Sequence, residues 1–259
     1  MISRIKNLLR NSLKPEQRDR LLAYQGLHFR WIQHCVFRLL FGKNLRALAS
    51  VYSTDKWNVH WYAQYYQRHF QPLRRRRLKL LEIGIGGWDN PLRGGGSLRM
   101  WRTFFFRSRI YGIDIEDKSP HNERRIRTFR GSQVDEAFLE KVLGEIGEPD
   151  IIIDDGSHMN EHVIRSFEFL FPRLREPGIY VIEDTQTAYW PAFGGSSSNL
   201  NDRSTSMGYF KKFIDGINYT EFDSPGYTPS YYDQHITSIH FYHNVIFIYK
   251  GKNDKSQRV

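Results

Sequence analysis

The residues richest in chemistry lie in Ile151-Ile152-Ile153-Asp154-Asp155-Gly156-Ser157-His158, where an isoleucine run stops at two carboxylates, a glycine, a serine and a histidine. A second segment repeats the pattern, with Ile179-Tyr180-Val181-Ile182 running into Glu183-Asp184-Thr185. β-Branched apolar runs bounded by turn formers read as buried strands. In an open α/β sheet, ligands bind in the crevice outside the carboxyl ends of such strands. Two strands ending in acid pairs, one followed by a histidine, therefore suggest a divalent-cation site beside a base.

The elements around these segments have to place both strand ends side by side. Leu78 to Ile85 is a near-continuous apolar run entering the turn Gly84-Ile85-Gly86-Gly87, and Ile110 to Ile115 is a second strand carrying Asp114 near its end. A weaker strand follows at Ile126 to Phe129. Helices are expected over Ser97–Phe106, with Ser97 as N-cap, and over Asp135–Ile146 and Glu161–Leu174. This alternation predicts a doubly wound, mostly parallel, Rossmann-like α/β sheet. Ile236–Tyr242 and Val245–Tyr249, joined by His243-Asn244, form a hairpin, so the last strand should lie antiparallel. Gly194–Asn199 reads as a lid-like or ordinary surface loop, and Gly208–Ile214 as a short helix. Ahead of Tyr52 the chain looks helical and amphipathic, with a break at Lys14-Pro15 and a second stretch from His28 to Leu40 stopped by Gly42. The expected division is a helical N-terminal extension over residues 1–50 and an α/β domain over 51–259.

Composition narrows the class. A chain of 259 residues with 40% hydrophobic content can bury a sizeable core. No apolar run reaches the eighteen or so residues of a membrane span. The charged N-terminus lacks a signal-peptide pattern, and a lone Cys35 excludes an internal disulfide framework; both point to the cytoplasm. Cys35 itself reads as a small buried hydrophobe. The net charge of +10 raises a nucleic-acid or membrane-surface reading. The run Arg74-Arg75-Arg76-Arg77 is read as a solvated connection before the first strand.

The glycine turn points to a cofactor. Glycine lets backbone approach a ligand closely, but the dinucleotide fingerprint fails because Asp89 stands where a small residue is needed. Acids beside the turn are also poorly placed for phosphate, and no Gly-Lys-Ser/Thr follows to make a P-loop. Glu82 ahead of Gly84 and Gly86 suits a cationic ligand, the amino group of a methionine moiety. Asp114 is placed to accept two ribose hydroxyls. Together these residues read as an S-adenosylmethionine site.

From Tyr52 to about Lys252 the chain resembles the metal-dependent sugar O-methyltransferases of macrolide biosynthesis, those of the mycinamicin and tylosin pathways. The matching segments are Tyr52-Ser53-Thr54-Asp55-Lys56, Leu81 to Gly87, Gly95 to Trp101, Ile153 to His158 and Val181 to Thr187. The resemblance implies a class I methyltransferase fold, Mg2+ held by Asp155, Glu183 and Asp184, and His158 as general base. The candidate cofactor residues are completed by Thr54, Ser97, Ser132 and Gln133, with Asp154 on the cofactor side or supporting its loop. Family members can carry a much longer N-terminal domain that helps bind substrate, where this chain has about fifty residues.

In that chemistry a neutral sugar hydroxyl is a poor nucleophile, and a divalent ion with a nearby imidazole makes it a better one. Hard carboxylate oxygens suit magnesium. The expected acceptor is a glycosylated natural product of the antibiotic type, with a polysaccharide, a lipid-linked sugar or a nucleic acid as alternatives and a non-catalytic binding module as the rival from another class. The strand end Asp154-Asp155-Gly156 lacks the Asn/Asp-Pro-Pro-aromatic pattern of base methylation, so no nucleic-acid partner is expected. His158-Met159-Asn160-Glu161-His162 matches an inverted zinc-protease motif, yet a strand exit is the wrong place for it. Trp88, Tyr189, Trp190 and Phe193 are candidates for stacking on an acceptor. The N-terminal helices are the candidate surface for self-association.

Overall fold

A computed structural model describes residues 32–254. Its frame is a seven-stranded sheet in the order β3-β2-β1-β4-β5-β7-β6. The strands are β1 (Lys79–Ile83), β2 (Arg109–Asp114), β3 (Ile126–Arg130), β4 (Ile151–Asp154), β5 (Gly178–Glu183), β6 (Ile236–Tyr242) and β7 (Val245–Lys250). The first five pair in parallel, while β7 runs antiparallel to both β5 and β6. The order reverses between β1 and β4, and that reversal opens a crevice at their carboxyl ends.

Alternation along each strand divides the core. Leu80, Ile110, Ile151, Ile153, Ile179, Val181 and Phe247 pack on one face, Leu81, Ile83, Ile113, Ile152, Tyr180, Ile182 and Ile248 on the other. The first face is covered by α1 (residues 32–41), α2 (Leu45–Val51), α3 (Ala63–Phe70) and α4 (Gly96–Phe104), which contribute the fully buried Tyr62, Tyr66, Phe70 and Trp101. The second is covered by α5 (Glu136–Ile146), α6 (Asn160–Leu170), α7 (Ser206–Lys211), α8 (Phe213–Gly216) and α9 (Tyr231–His235). There Phe167 meets Phe171, Tyr180, Phe210, Phe213 and Tyr232 at centroid distances of 4.8 to 5.8 Å. Each such buried ring is worth about 1.5–3 kcal/mol of burial.

Several expectations are adjusted. The helix expected to start at Ser97 begins at Gly96, with Gly95 as N-cap in the left-handed region at φ 69°. Ser97 is then free to bond elsewhere. The helix expected to reach Leu174 stops at Leu170, because Pro172 has no N–H to continue it. The boundary at residue 50 cuts α2, whose Leu45, Leu48 and Ala49 are wholly buried in the core. Cys35, expected inside, is exposed on α1. The segment after Pro191 is tied back by Gly195 N–H to Trp190 O and Ser196 N–H to Ala188 O, each 2.9 Å. The break at Lys14-Pro15 and the helix ahead of it lie outside the described residues. Among the described residues no helix is long and apolar enough to cross a membrane.

Candidate active site

The crevice at the carboxyl ends of β1, β2, β4 and β5 holds a cavity of about 770 Å³, within the range of small-molecule sites. Its floor is the turn after β1. Gly84 and Gly86 take φ of 85° and 74°, which L-residues rarely adopt. A Cβ on Gly84 would lie 1.9 Å from the Asp155 carbonyl oxygen, so this glycine lets the β1 and β4 loops cross; a Cβ on Gly86 would meet open space. Asp114 lines the cavity with its carboxylate held in place, Oδ2 accepting from Ile85 N–H and Oδ1 from Glu116 N–H, both at 2.9 Å.

Ser132 and Gln133 also line it. Gln133 accepts from Ser157 N–H at 2.8 Å through Oε1 and donates through Nε2 to Asp154 and Ser166. Asp154 shares the parity of Ile152 and so points into the α5/α6 side, 1% exposed, where burial pushes its carboxyl up to about 7. Of the two expected roles, its contacts fit loop support.

Asp155, His158 and Asp184 converge on the crevice, each offering a ligand atom within 4.8 Å of the others. His158 and Asp184 sit at strand exits with φ of 57° and 52°, unusual for residues with side chains, and such strain clusters at functional sites. His158 Nε2 lies 3.4 Å from Asp184 Oδ2. Asp184 Oδ1 accepts from Tyr62 Oη–H at 2.7 Å and Gln186 Nε2 at 3.2 Å, with His60 Nδ1 at 3.5 Å. Burial would raise the Asp184 carboxyl, but these donors and His158 hold it below the ordinary range. Gln186 Oε1 and Thr54 Oγ1 are buried without partners, which leaves polar atoms to be satisfied. Hard carboxylate oxygens gathered within a few ångströms fit a divalent cation, and the glycine floor with Asp114 fits a nucleoside.

Thr54, Glu82, Ser97 and Glu183, expected around ligands, are not among the residues that line the cavity; Glu82 and Glu183 are buried, Thr54 and Ser97 only partly so. Glu82 and Glu183 share the parity of Leu80 and Val181, so both carboxylates enter the helix-covered first face. Glu82 accepts from Ser97 Oγ at 2.8 Å and Trp101 Nε1 at 3.2 Å, and burial pushes it up to about 7. Lys56 Nζ lies 3.5 Å from the same carboxylate. Glu183 accepts from Tyr66 Oη–H and, through both oxygens, from Lys56 Nζ at 2.7 and 2.8 Å.

Lys56 is the residue the motif reading left without a role. Fully buried, its ammonium lies 2.8 Å from Asp155 Oδ2, 2.7 Å from Glu183 and 3.5 Å from Glu82. Burial alone would lower it, but the three carboxylates outweigh burial and hold it protonated, well above the ordinary lysine range. The signal was available: acids at inward positions of two buried strands require a buried cation. Tyr62 and Tyr66, about one turn apart at the start of α3, carry no comparable signal.

His162 lines the cavity and its Nδ1 lies 2.9 Å from Ser157 Oγ. It belongs to the first turn of α6 while His158 precedes the helix, so the two histidines do not form the zinc-protease pair. Trp88 is 91% exposed on the cavity rim. Trp190 and Phe193 pack tilted against one another at 6.0 Å, away from the lining, and Tyr189 lies off it too.

The sheet order with its antiparallel β7 and the cleft over the glycine turn define a class I methyltransferase fold. No family model matches the chain. Over 214 residues it is 49% identical to the mycinamicin VI 2''-O-methyltransferase of Micromonospora griseorubida, covering 82% of this chain and 54% of that protein. The same figures hold for the demethylmacrocin O-methyltransferase of Streptomyces fradiae. A tetracenomycin rhamnosyl 2'-O-methyltransferase of Streptomyces olivaceus is 45% identical over 81% of this chain and 55% of its own length. The MycE methyltransferase of the mycinamycin pathway, solved with Mg and SAH, superposes at a TM-score of 0.79 with 49% identity, over 82% of this chain and 54% of that one. Over that matched part, the chain is a homologue of the macrolide and related sugar O-methyltransferases its motifs resemble. It spans about half the length of the curated relatives it matches.

Proposed function

We propose that the protein transfers a methyl group from S-adenosylmethionine to a sugar hydroxyl of a glycosylated small molecule, with Mg2+ in the site. The observation that carries this reading is the convergence of Asp155, His158 and Asp184 beside the Gly84–Gly86 floor. The MycE methyltransferase has also been solved with mycinamycin VI, at 48% identity over 82% of this chain, which supports a glycoside over a polymer.

Bound S-adenosylmethionine supplies an electrophilic methyl on a sulfonium, and Mg2+ supplies a Lewis acid at the acceptor oxygen. The chain does the rest. Asp114, already fixed by two backbone N–H groups, presents its remaining lone pairs to ribose hydroxyls, and the open space over Gly86 admits the cofactor. Asp155 and Asp184 would hold the metal, with Glu183 the third acid from behind. Magnesium prefers oxygen to imidazole nitrogen, so His158 would stay free to accept the acceptor hydroxyl's proton at Nε2. Asp184, 3.4 Å away, then stabilises the imidazolium.

A panel of deoxyhexose glycosides, a polysaccharide and an RNA oligomer, each with labelled methyl donor, tests the acceptor class. A methyl ether on a glycoside sugar is expected; label in the polymer or RNA alone contradicts the proposal.

A further inference from the structure

At the opposite end of the sheet, where β1 and β2 begin, lies a second cavity of about 960 Å³ walled by nine basic side chains and two acids. It collects Arg77, the last of the four-arginine run, with Arg107, Arg109 and Arg124, all four exposed and none in an ion pair with a described acid. The two acids are already engaged. Glu123 is shared by Arg99 and Arg102, and Asp150 accepts from Lys79 N–H at 2.8 Å with Arg175 at 3.5 Å. Among the described residues Arg125, half-buried, hydrogen-bonds to carbonyls: Ser108 O at 2.8 Å, Arg102 O at 3.0 Å and Phe105 O at 3.2 Å. Arg102 Nε is buried without a partner.

The positive field acts on its own members. Burial and then the charges of Arg102, Arg38 and Arg124 lower the Arg125 guanidinium to about 10, and burial with Arg102, Arg125 and Arg38 lowers His34 to about 4. The run Arg74–Arg77 is thus only partly a solvated connection: Arg74 bonds Gly42 O at 2.8 Å and lies over Phe106, and Arg77 joins the cavity. Residues 1–31 carry seven Lys and Arg against two acids, so their own net charge is positive as well.

We infer that this cavity binds a compact anion carrying two or more phosphate groups, at a site separate from the methyl-transfer crevice. Planar guanidinium forks match phosphate oxygens in pairs, and several within one concave site favour a multivalent anion over chloride. A pocket rather than an extended groove favours a small ligand over a polymer. β1 places roughly 15 Å of strand between this cavity and the crevice, so the two ligands need not compete.

The test is calorimetry on the full chain with inorganic tripolyphosphate, against sodium chloride at matched ionic strength, for the native protein and the Arg77→Gln/Arg109→Gln/Arg124→Gln variant. Saturable binding to the native protein is expected, weakened at least tenfold in the variant, with S-adenosylmethionine affinity unchanged in both. No saturable binding, equal affinity in the variant, or an effect reproduced by chloride would overturn the site. Vesicles of phosphatidic acid and a single-stranded RNA distinguish the source of phosphate. Vesicle capture that tripolyphosphate displaces places the phosphate on a lipid headgroup, and absence of capture leaves a soluble ligand. RNA binding without tripolyphosphate binding refutes the compact-anion inference.

Discussion

At the residue scale, groups that face the crevice are distinct from groups that hold them in place. His158 faces it, so His158→Ala should lower kcat by about 10²–10⁴ while leaving S-adenosylmethionine affinity unchanged by calorimetry. Full turnover in the variant would remove its role as base; lost Mg2+ affinity would make it a ligand. Lys56 holds. Replacing it with methionine leaves the buried Glu82 and Glu183, and Asp155 on the cavity wall, without their cation, and breaking a buried pair costs about 3–5 kcal/mol. Urea unfolding of Lys56→Met should show a loss of that order, and a change under about 1 kcal/mol would mean the ammonium is not what keeps these acids in place.

At the element scale the site depends on two loops passing at backbone distance. With a Cβ at Gly84 only 1.9 Å from Asp155 O, Gly84→Ala forces the β1 and β4 loops apart. Left-handed backbone in a non-glycine residue costs a further 1–2 kcal/mol or so. S-adenosylmethionine affinity should fall at least tenfold in equilibrium dialysis, and an unchanged affinity would show that the crossing does not shape the cofactor floor. The strands and their order of types are legible because Ile151–Ile153 and Ile179–Ile182 are apolar on both faces, and Leu80–Ile83 is too but for Glu82, as a doubly covered parallel strand must be. Strand parity was legible too: it sends Glu82 and Glu183 to one side and Asp154 to the other. The motif reading placed acids by proximity to the strand end and so put Glu82 in the crevice. Helix ends were less legible, since the start at Gly96 depends on Gly95 adopting a left-handed cap and the stop at Leu170 on one proline.

At the scale of the whole molecule, the sheet joins its parallel half to the C-terminal hairpin through an aromatic and histidine layer. His69 on α3 stacks on Phe247 at 4.1 Å and lies within 2.8 and 3.0 Å of the hydroxyls of Tyr249 and Tyr242. Burial, then His240 and Arg68, lower it from 6.5 to about 4. The unfolded chain therefore takes up this proton first as pH falls. Stability from His69 is complete above pH 6.5 and declines as pH drops toward 4. Thermal unfolding of His69→Gln should show a shallower decline over that window than the native protein, and parallel curves would assign the acid loss to other groups. That the inward acids need a buried cation is legible in the chain, but that Lys56 supplies it to Glu183, 127 positions away, is not, because the contact arises only once the helix layer closes over the sheet.

Under the proposed function, the acids at the exits of β4 and β5 would hold a divalent cation on which methyl transfer depends. Initial rates with labelled S-adenosylmethionine and an accepted glycoside, measured after EDTA treatment and again after adding Mg2+, test it most directly. Transfer should vanish with chelation and return with Mg2+ in the native protein, and should fail to return in Asp155→Asn. Turnover unchanged by EDTA would contradict the account.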